Sequence, residues 1–201
     1  MTVLVGKQFA SMRLSGRRFR RRLRRDEDGA TAVEFGLICV PFFMLLFGIL
    51  GICQLFFWTF TAENAVWAAS RDMRTGSFQT TAAGSPYAGL TGDALKTAFR
   101  QQICNGTVNP NDCFNNSVVL VQSNTSFGGI SDPSCTTVGN NMVTDTNAMS
   151  AFNAGASSST VMVTLCYAWQ FGTKLPFLPL PKMNSGGYLI QASAAFKTEP
   201  Y

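Results

Sequence analysis

The chain has 201 residues, a formal net charge of +5 and no histidine. This length has room for one membrane helix and one modest globular domain, but not for two independent cores. The positive charge is local, because residues 1–29 carry a net charge of +6 and the rest of the chain carries −1. A basic end without a basic folded domain argues against nucleic-acid binding and favours a segment that a membrane or its machinery recognises.

The N-terminal region reads as a membrane anchor. Seven arginines within residues 17–29 precede a run, Phe35–Cys53, in which every residue is apolar, glycine or proline, and the apolar character resumes after Gln54 as far as Phe60. Nineteen residues of helix span about 28 Å, close to the ~30 Å hydrocarbon core of a bilayer. A secretory h-region is shorter, and the nearest signal-peptidase-like site, ending at Ala68, lies well beyond the run. The sequence therefore predicts a single-pass helix.

The distribution of charge predicts the orientation of that helix. The arginine excess should hold the N-terminus in the cytoplasm, so that the C-terminal region crosses to an oxidising compartment. The expected organisation is a basic N-terminal segment at 1–29, a transmembrane helix and stalk at 30–76, and a periplasmic α+β domain at 77–201.

Glu34 is an acidic residue at the start of the apolar helix, where a charge is costly and needs a partner. In an uncut chain the arginine block is one or two turns away and neutralises it as an ordinary interfacial residue. If the chain is cut after Gly29, Ala30 becomes the N-terminus, and its α-ammonium lies four residues from Glu34. The carboxylate can then neutralise that amine on its own helix or on a neighbouring helix. The sequence leaves both interpretations open.

The combination of a basic leader, Gly29, Ala30, an apolar helix and Glu34 resembles type IV prepilins and pseudopilins, with Gly29 at −1 and Glu34 at +5. More narrowly, "DGATAVEFGLICVPFFMLLFGILGICQLFF" and the following "ENAVWAASRDMRTG" resemble the TadE-like family of the tight-adherence (Tad, or Flp) pilus system. The resemblance covers about the first 76 residues.

The resemblance implies that the chain is a minor pilin or pseudopilin-like component, with cleavage after Gly29 by a prepilin peptidase. It implies that the partners are this peptidase, other pilin or pseudopilin subunits and the assembly platform of the bacterial inner membrane. Priming, capping, docking and adhesion all stay open as roles. The alternative is a signal-anchored periplasmic binding domain that is never cut.

Beyond the membrane the helix is expected to continue to about Thr75 and to stop at Gly76. Its apolar residues there recur at helical spacing: Ala62, Val66, Ala69 and Met73. This stripe either packs on the chain's own domain or contacts other subunits, and the first interpretation is at least as well supported as the second.

The remaining chain predicts an α+β domain with a short helix and a small antiparallel sheet. The helix lies in "TGDALKTAFRQQICNG", with Thr91 as its cap and an apolar face of Leu95, Phe99 and Ile103. Strands are predicted at 116–123, 161–171 and 188–196. Alternating apolar residues define one face of the last two: Val161, Val163, Leu165, Tyr167, Trp169 and Phe171, then Tyr188, Ile190, Ala192, Ala194 and Phe196. The proline-spaced segment 174–182 either folds over the sheet or contacts a partner.

The cysteines predict disulfides rather than a metal site. Without histidine or a C-x-x-C pair, Cys104, Cys113, Cys135 and Cys166 make a poor zinc site, whereas two disulfides suit an oxidising compartment. Three pairings are possible, and proximity in sequence favours Cys104 with Cys113 and Cys135 with Cys166.

The sequence also argues against an enzyme. The absence of histidine removes the commonest general base and every Ser-His or Cys-His pair. There is no phosphate loop, nucleophile elbow or dinucleotide fingerprint, and no cofactor is expected. The carboxylates beyond residue 90 are scattered: Asp93, Asp112, Asp132, Asp145 and Glu199.

Overall fold

The computed structural model describes residues 28–81, 83–131, 133–174, 180–184 and 186–201. The arginine block and most of the segment 174–182 therefore lie outside the described residues. The helices are α1 (Asp28–Arg74), α2 (Gly92–Asn105), α3 (Pro110–Asn116) and α4 (Asp145–Ser150). The strands are β1 (Ser117–Asn124), β2 (Thr136–Thr137), β3 (Asn141–Met142), β4 (Thr160–Trp169) and β5 (Tyr188–Lys197). Short 3-10 turns occupy Phe127–Gly129 and Phe171–Lys174.

The chain divides into two units, Met1–Phe47 and Gly48–Tyr201. The described part of the first unit, residues 28–47, is helical throughout and belongs to α1. The second unit contains the rest of α1 together with every other described helix and strand. The observed fold is α+β, as the sequence predicts.

The main sheet is antiparallel, with the strand order β1-β4-β5. β4 is the central strand because its neighbours pair on either side, with Leu120 opposite Thr164 and Leu165 opposite Ala192. All ten residues of β5 pair with β4. A second, two-stranded ribbon joins β2 to β3.

One face of this sheet packs against the C-terminal part of α1, and α2 completes the layer. The alternating residues of β4 and β5 predicted to share a face are buried there, with one exception. Phe171 lies after the end of β4, in a 3-10 turn, and is 47% exposed. The chain packs closely in this turn, since a Cβ added at Gly172 would lie 2.5 Å from the Tyr188 ring.

The other face of the sheet carries a smaller cluster. Val118, Leu120 and Cys166 pack there against Ala148 of α4 and against Cys135. The short-loop disulfide joins Cys104 to Cys113, and the long-loop disulfide joins Cys135 to Cys166, with Cα–Cα distances of 5.5 and 5.4 Å. This is the pairing that proximity in sequence favours. The short-loop disulfide attaches the short helix α3 to α2, and the long-loop disulfide attaches the β2–β3 ribbon to β4.

Candidate functional site in the N-terminal helix

The residues predicted to direct processing lie in the first turns of α1. Gly29 and Ala30 are helical, and Glu34 follows one turn after Ala30. Ala30 and Glu34 are thus about one helical turn apart along the backbone, the separation that the sequence-based hypothesis of an amine–carboxylate pair assumes. Glu34 is exposed, and no residue in the described part of the chain forms an ion pair with it.

The structure gives no internal reason for glycine at this position. A Cβ added to Gly29 would meet no described atom within 4 Å, and the same holds for Gly36 and Gly48. Glycine inside a helix costs about 0.5–1 kcal/mol relative to alanine. The described residues therefore give no reason for glycine at position 29.

The N-terminal half of α1 exposes an unusual amount of apolar surface. Val33, Phe35 and Leu37 are 68–75% exposed, and further large apolar side chains remain exposed along the helix to Phe60. Within the described residues, one segment, Thr31–Arg74, is long and apolar enough to span a membrane. Surface of this kind is unfavourable in water and is typical of a membrane or protein contact.

The C-terminal part of α1 has a different environment. Ala62, Val66, Ala69 and Met73 are at most 1% exposed and belong to the main core. Trp58 lies against the sheet, with its ring centroid 5.8 Å from that of Trp169. The apolar stripe predicted from the sequence therefore packs on the chain's own domain.

The described carboxylates beyond residue 90 serve separate contacts and do not form a cluster. Asp93 pairs with Lys96, Asp145 with Arg100 and Glu199 with Arg74, at distances of 2.8–3.3 Å. Asp112 accepts hydrogen bonds from the phenol of Tyr167 and from Asn116. Asp132 lies outside the described residues. Among the residues that the structure describes, no group of three Asp, Glu, Cys or His side chains is placed to hold a metal ion.

One polar contact was not apparent from the sequence. Asp72 accepts hydrogen bonds from the Tyr87 hydroxyl at 3.2 Å and from the Gln102 amide at 3.0 Å, and so ties α1 to α2. Burial, together with the charge of Asp72, raises the pKa of Tyr87 above its ordinary value. The partners are 15 and 30 residues from Asp72, and no local sequence signal marks contacts over such separations.

Comparison with known proteins supports the predicted resemblance of this helix to TadE-like proteins. Residues 29–71 match the family model of TadE-like proteins, so the match begins at Gly29 and ends at Arg71, within α1. No curated protein and no solved structure matched the chain. The resemblance to TadE-like proteins is thus confirmed for residues 29–71, and it associates this helix with the tight-adherence pilus system.

Proposed function

We propose that the protein is a minor pilin or pseudopilin-like component of the tight-adherence pilus apparatus. The observation that carries this proposal is the TadE-like match over residues 29–71, which falls on an apolar helix with an exposed N-terminal half. In this proposal α1 sits in the bacterial inner membrane, with the leader in the cytoplasm and the disulfide-bonded domain in the periplasm. Its partners are other pilin or pseudopilin subunits and the inner-membrane assembly platform.

The second part of the proposal is leader removal by a prepilin peptidase after Gly29. Two observations support it: the family match begins at this residue, and no described atom lies within 4 Å of a Cβ added at Gly29. Removing 29 of the 201 residues leaves a mature chain of 172 residues that begins with Ala30. The cut also removes the net +6 charge of the leader, so Glu34 loses the arginine block as a partner and gains the new α-ammonium.

The deciding experiment is N-terminal sequencing of the membrane-extracted protein from its native host. A mature protein that begins "ATAVEF" supports prepilin-type processing. A protein that begins at Met1 would instead be a signal-anchored domain, and one that begins at Ala69 would be an ordinary exported domain. Either result would reject the proposal.

The cleavage site is tested with a matched pair of variants. Gly29→Phe should block cleavage, because a protease subsite shaped around a missing side chain does not admit a benzyl group. Gly36→Phe makes the same change where the described surroundings are equally open, and cleavage should persist. Cleavage of Gly29→Phe at the wild-type position would show that the site is assigned wrongly.

The role of Glu34 is tested separately from cleavage. Glu34→Ala should leave membrane insertion intact, because it removes a charge from the mouth of an apolar helix. It should reduce the amount of protein that cofractionates with sheared pili or crosslinks to pilin subunits, whereas Glu34→Asp should retain part of it. If Glu34→Ala is incorporated as well as the wild-type protein, Glu34 is not needed to pair with the α-ammonium of Ala30.

A further inference from the structure

A groove of about 550 Å³ lies in the second unit, where the last turns of α1 meet the end of β5. Trp67, Ser70, Arg71 and Arg74 line it from the helix, and Phe196 and Glu199 line it from the end of the chain. None of these residues contributes to the processing segment or to the disulfides. The groove is therefore separate from the processing segment, although Trp67, Ser70 and Arg71 fall within the matched residues 29–71.

Ser70 is a buried polar residue without a partner. Its side chain is 2% exposed, and its hydroxyl makes no hydrogen bond to any described atom. Other hydroxyls of the same helix do bond to the preceding turn: Thr59 donates to the carbonyl of Leu55 at 3.0 Å, and Thr61 to that of Trp58 at 2.9 Å. A buried hydroxyl without a hydrogen-bond partner is energetically unfavourable. Binding of a ligand whose atom forms a hydrogen bond with the Ser70 hydroxyl is therefore favoured.

The charges around Ser70 select an anionic ligand. Arg71 is exposed and forms no ion pair within the described part of the chain. Arg74 is already held by Glu199, with Nε 3.2 Å from Oε1. The groove therefore has one uncompensated guanidinium group, which matches the geometry of a carboxylate. Trp67 is 54% exposed beside it and offers an apolar wall.

β5 contributes Phe196 to the groove and is an edge strand of the sheet. The order β1-β4-β5 leaves the outer edge of its last residues, 193–197, without a pairing strand among the described residues. Ala195 and Lys197 are exposed there. Strand edges of this kind accept an extended peptide as an added strand, while pockets beside the edge select its side chains.

A lipid headgroup is a poorer candidate for the anion. Arg71 is eleven residues beyond Phe60, where the apolar run ends, and this corresponds to about 16 Å of helix. The Debye length is about 8 Å at physiological ionic strength, so the attraction of Arg71 to a charged membrane surface is strongly screened.

We infer that this groove binds a carboxylate side chain of an extended segment in a partner polypeptide, and that this segment adds to the open edge of β5. Arg71 binds the carboxylate, Ser70 donates a hydrogen bond to it, and Trp67 packs against the neighbouring part of the segment. This partner site goes beyond the proposed function, and it does not require leader cleavage.

The first test uses the full chain in detergent micelles and short end-blocked peptides of alternating Thr and Val. The peptides differ only in a central Glu, Gln or Lys, and binding is measured by fluorescence anisotropy. The Glu peptide should bind about tenfold more tightly than the Gln peptide, a difference of about 1.4 kcal/mol. Added salt should reduce this preference. Equal affinity for the three peptides would overturn the inference.

Matched charge-reversal variants locate the site. Arg71→Glu should remove the preference for the Glu peptide and favour the Lys peptide. Lys174→Glu makes the same change in charge beyond the end of β4 opposite the groove, and the preference should be retained. Ser70→Ala should weaken binding of the Glu peptide while leaving the Gln peptide less affected. A full preference for Glu in Arg71→Glu would place the carboxylate elsewhere and refute the assignment.

Hydrogen exchange tests the strand addition. The Glu peptide should slow amide exchange in residues 193–197, because an added strand protects the outward-facing amides of β5. The lipid alternative is tested with the peptide-free chain in nanodiscs of phosphatidylglycerol or phosphatidylcholine. Protection of these residues by phosphatidylglycerol alone would identify a membrane surface as the occupant and would overturn the inference of a polypeptide partner.

Discussion

Gly106 provides a direct test of how α1 is held on the domain. It follows the last turn of α2 with φ −84° and ψ −3°, a conformation that alanine adopts without strain. A Cβ at this position, however, would lie 2.8 Å from the Cβ of Ala65 and 3.2 Å from its Cα. Ala65 lies inside α1, nine residues before its end, and is 4% exposed, so its backbone has little freedom to yield.

The expected effect of Gly106→Ala is the difference between two opposing contributions. Replacing glycine by alanine at a compatible position stabilises a protein by about 0.4–1 kcal/mol, because the unfolded chain loses entropy. Forcing an extra methyl group into a packed contact costs about 1–3 kcal/mol. We therefore expect a net loss of about 1–2 kcal/mol in the free energy of unfolding. For a domain of this size, that loss lowers the melting temperature by about 2–8 °C.

The assay is thermal unfolding of the full chain in detergent, followed by near-ultraviolet circular dichroism of the buried Trp58 and Trp169. Gly128→Ala is the control, because an added Cβ there meets nothing within 4 Å. Ala65→Gly combined with Gly106→Ala should recover part of the loss, since the two changes act on one contact. If Gly106→Ala is as stable as Gly128→Ala, the close packing of α1 on α2 is refuted.

Three further predictions concern the same domain. Burial and a carboxylate partner raise the pKa of Tyr87 and Tyr167 above 10.0, so the folded chain keeps protons that the unfolded chain releases. Stability should therefore fall above pH 10 by about 1.4 kcal/mol per pH unit for each tyrosine, and replacing both by Phe should flatten denaturation midpoints measured across this range. Replacing both cysteines of a disulfide by Ser should lower the free energy of unfolding by about 1 kcal/mol more for the long-loop disulfide than for the short-loop one, because the sequence separations are 31 and 9. Equal losses of stability in urea unfolding would contradict the loop-entropy argument. Trp58→Ala should lower the free energy of unfolding by about 3–5 kcal/mol, whereas Trp67→Ala, at an exposed position, should change it by less than about 0.5 kcal/mol. If the two variants lose similar stability in guanidinium unfolding, the packing of α1 on the domain is contradicted.

The long periodic elements could be predicted from the sequence because their burial pattern repeats. Alternation in β4 and β5 indicated both strands and the face that packs on α1. The end of α1 could also be predicted from Gly76. This residue has φ +80°, a conformation that favours glycine, so glycine in the sequence marks the end of the helix. Leu95, Phe99 and Ile103 marked the inner face of α2, and Phe99 and Ile103 are fully buried. Thr91 occupies the predicted cap position, although its side chain makes no capping hydrogen bond.

The short elements were missed because few residues carry their signal. α3 spans seven residues, but its start was marked: Asn109 accepts a hydrogen bond from the Asp112 amide at 3.2 Å, and Pro110 opens the helix. α4 and the β2–β3 ribbon are shorter still and depend on the long-loop disulfide and the second face of the sheet. Their positions follow from contacts distant in sequence, which local patterns do not encode.

The groove was missed for a similar reason. No motif in the sequence marks Ser70 or Arg71 as part of a site. Only the packing of α1 beside the end of β5 brings Trp67, Phe196 and Glu199 into one site. Sequence reasoning finds chemistry that is concentrated along the chain, as at Gly29 to Glu34, more readily than chemistry assembled by tertiary packing.

The two sides of α1 beyond residue 55 have separable roles. Its buried side consists largely of small residues such as Ala62, Ala65 and Ala69, which allow close approach to the domain, whereas its outer side exposes Phe56, Phe60 and Trp67. Substitutions on the buried side act on the stability of the domain, because they change a packed contact. Substitutions on the outer side leave that packing unchanged, and a loss of assembly from such a variant therefore reports contact with a partner or the membrane rather than misfolding.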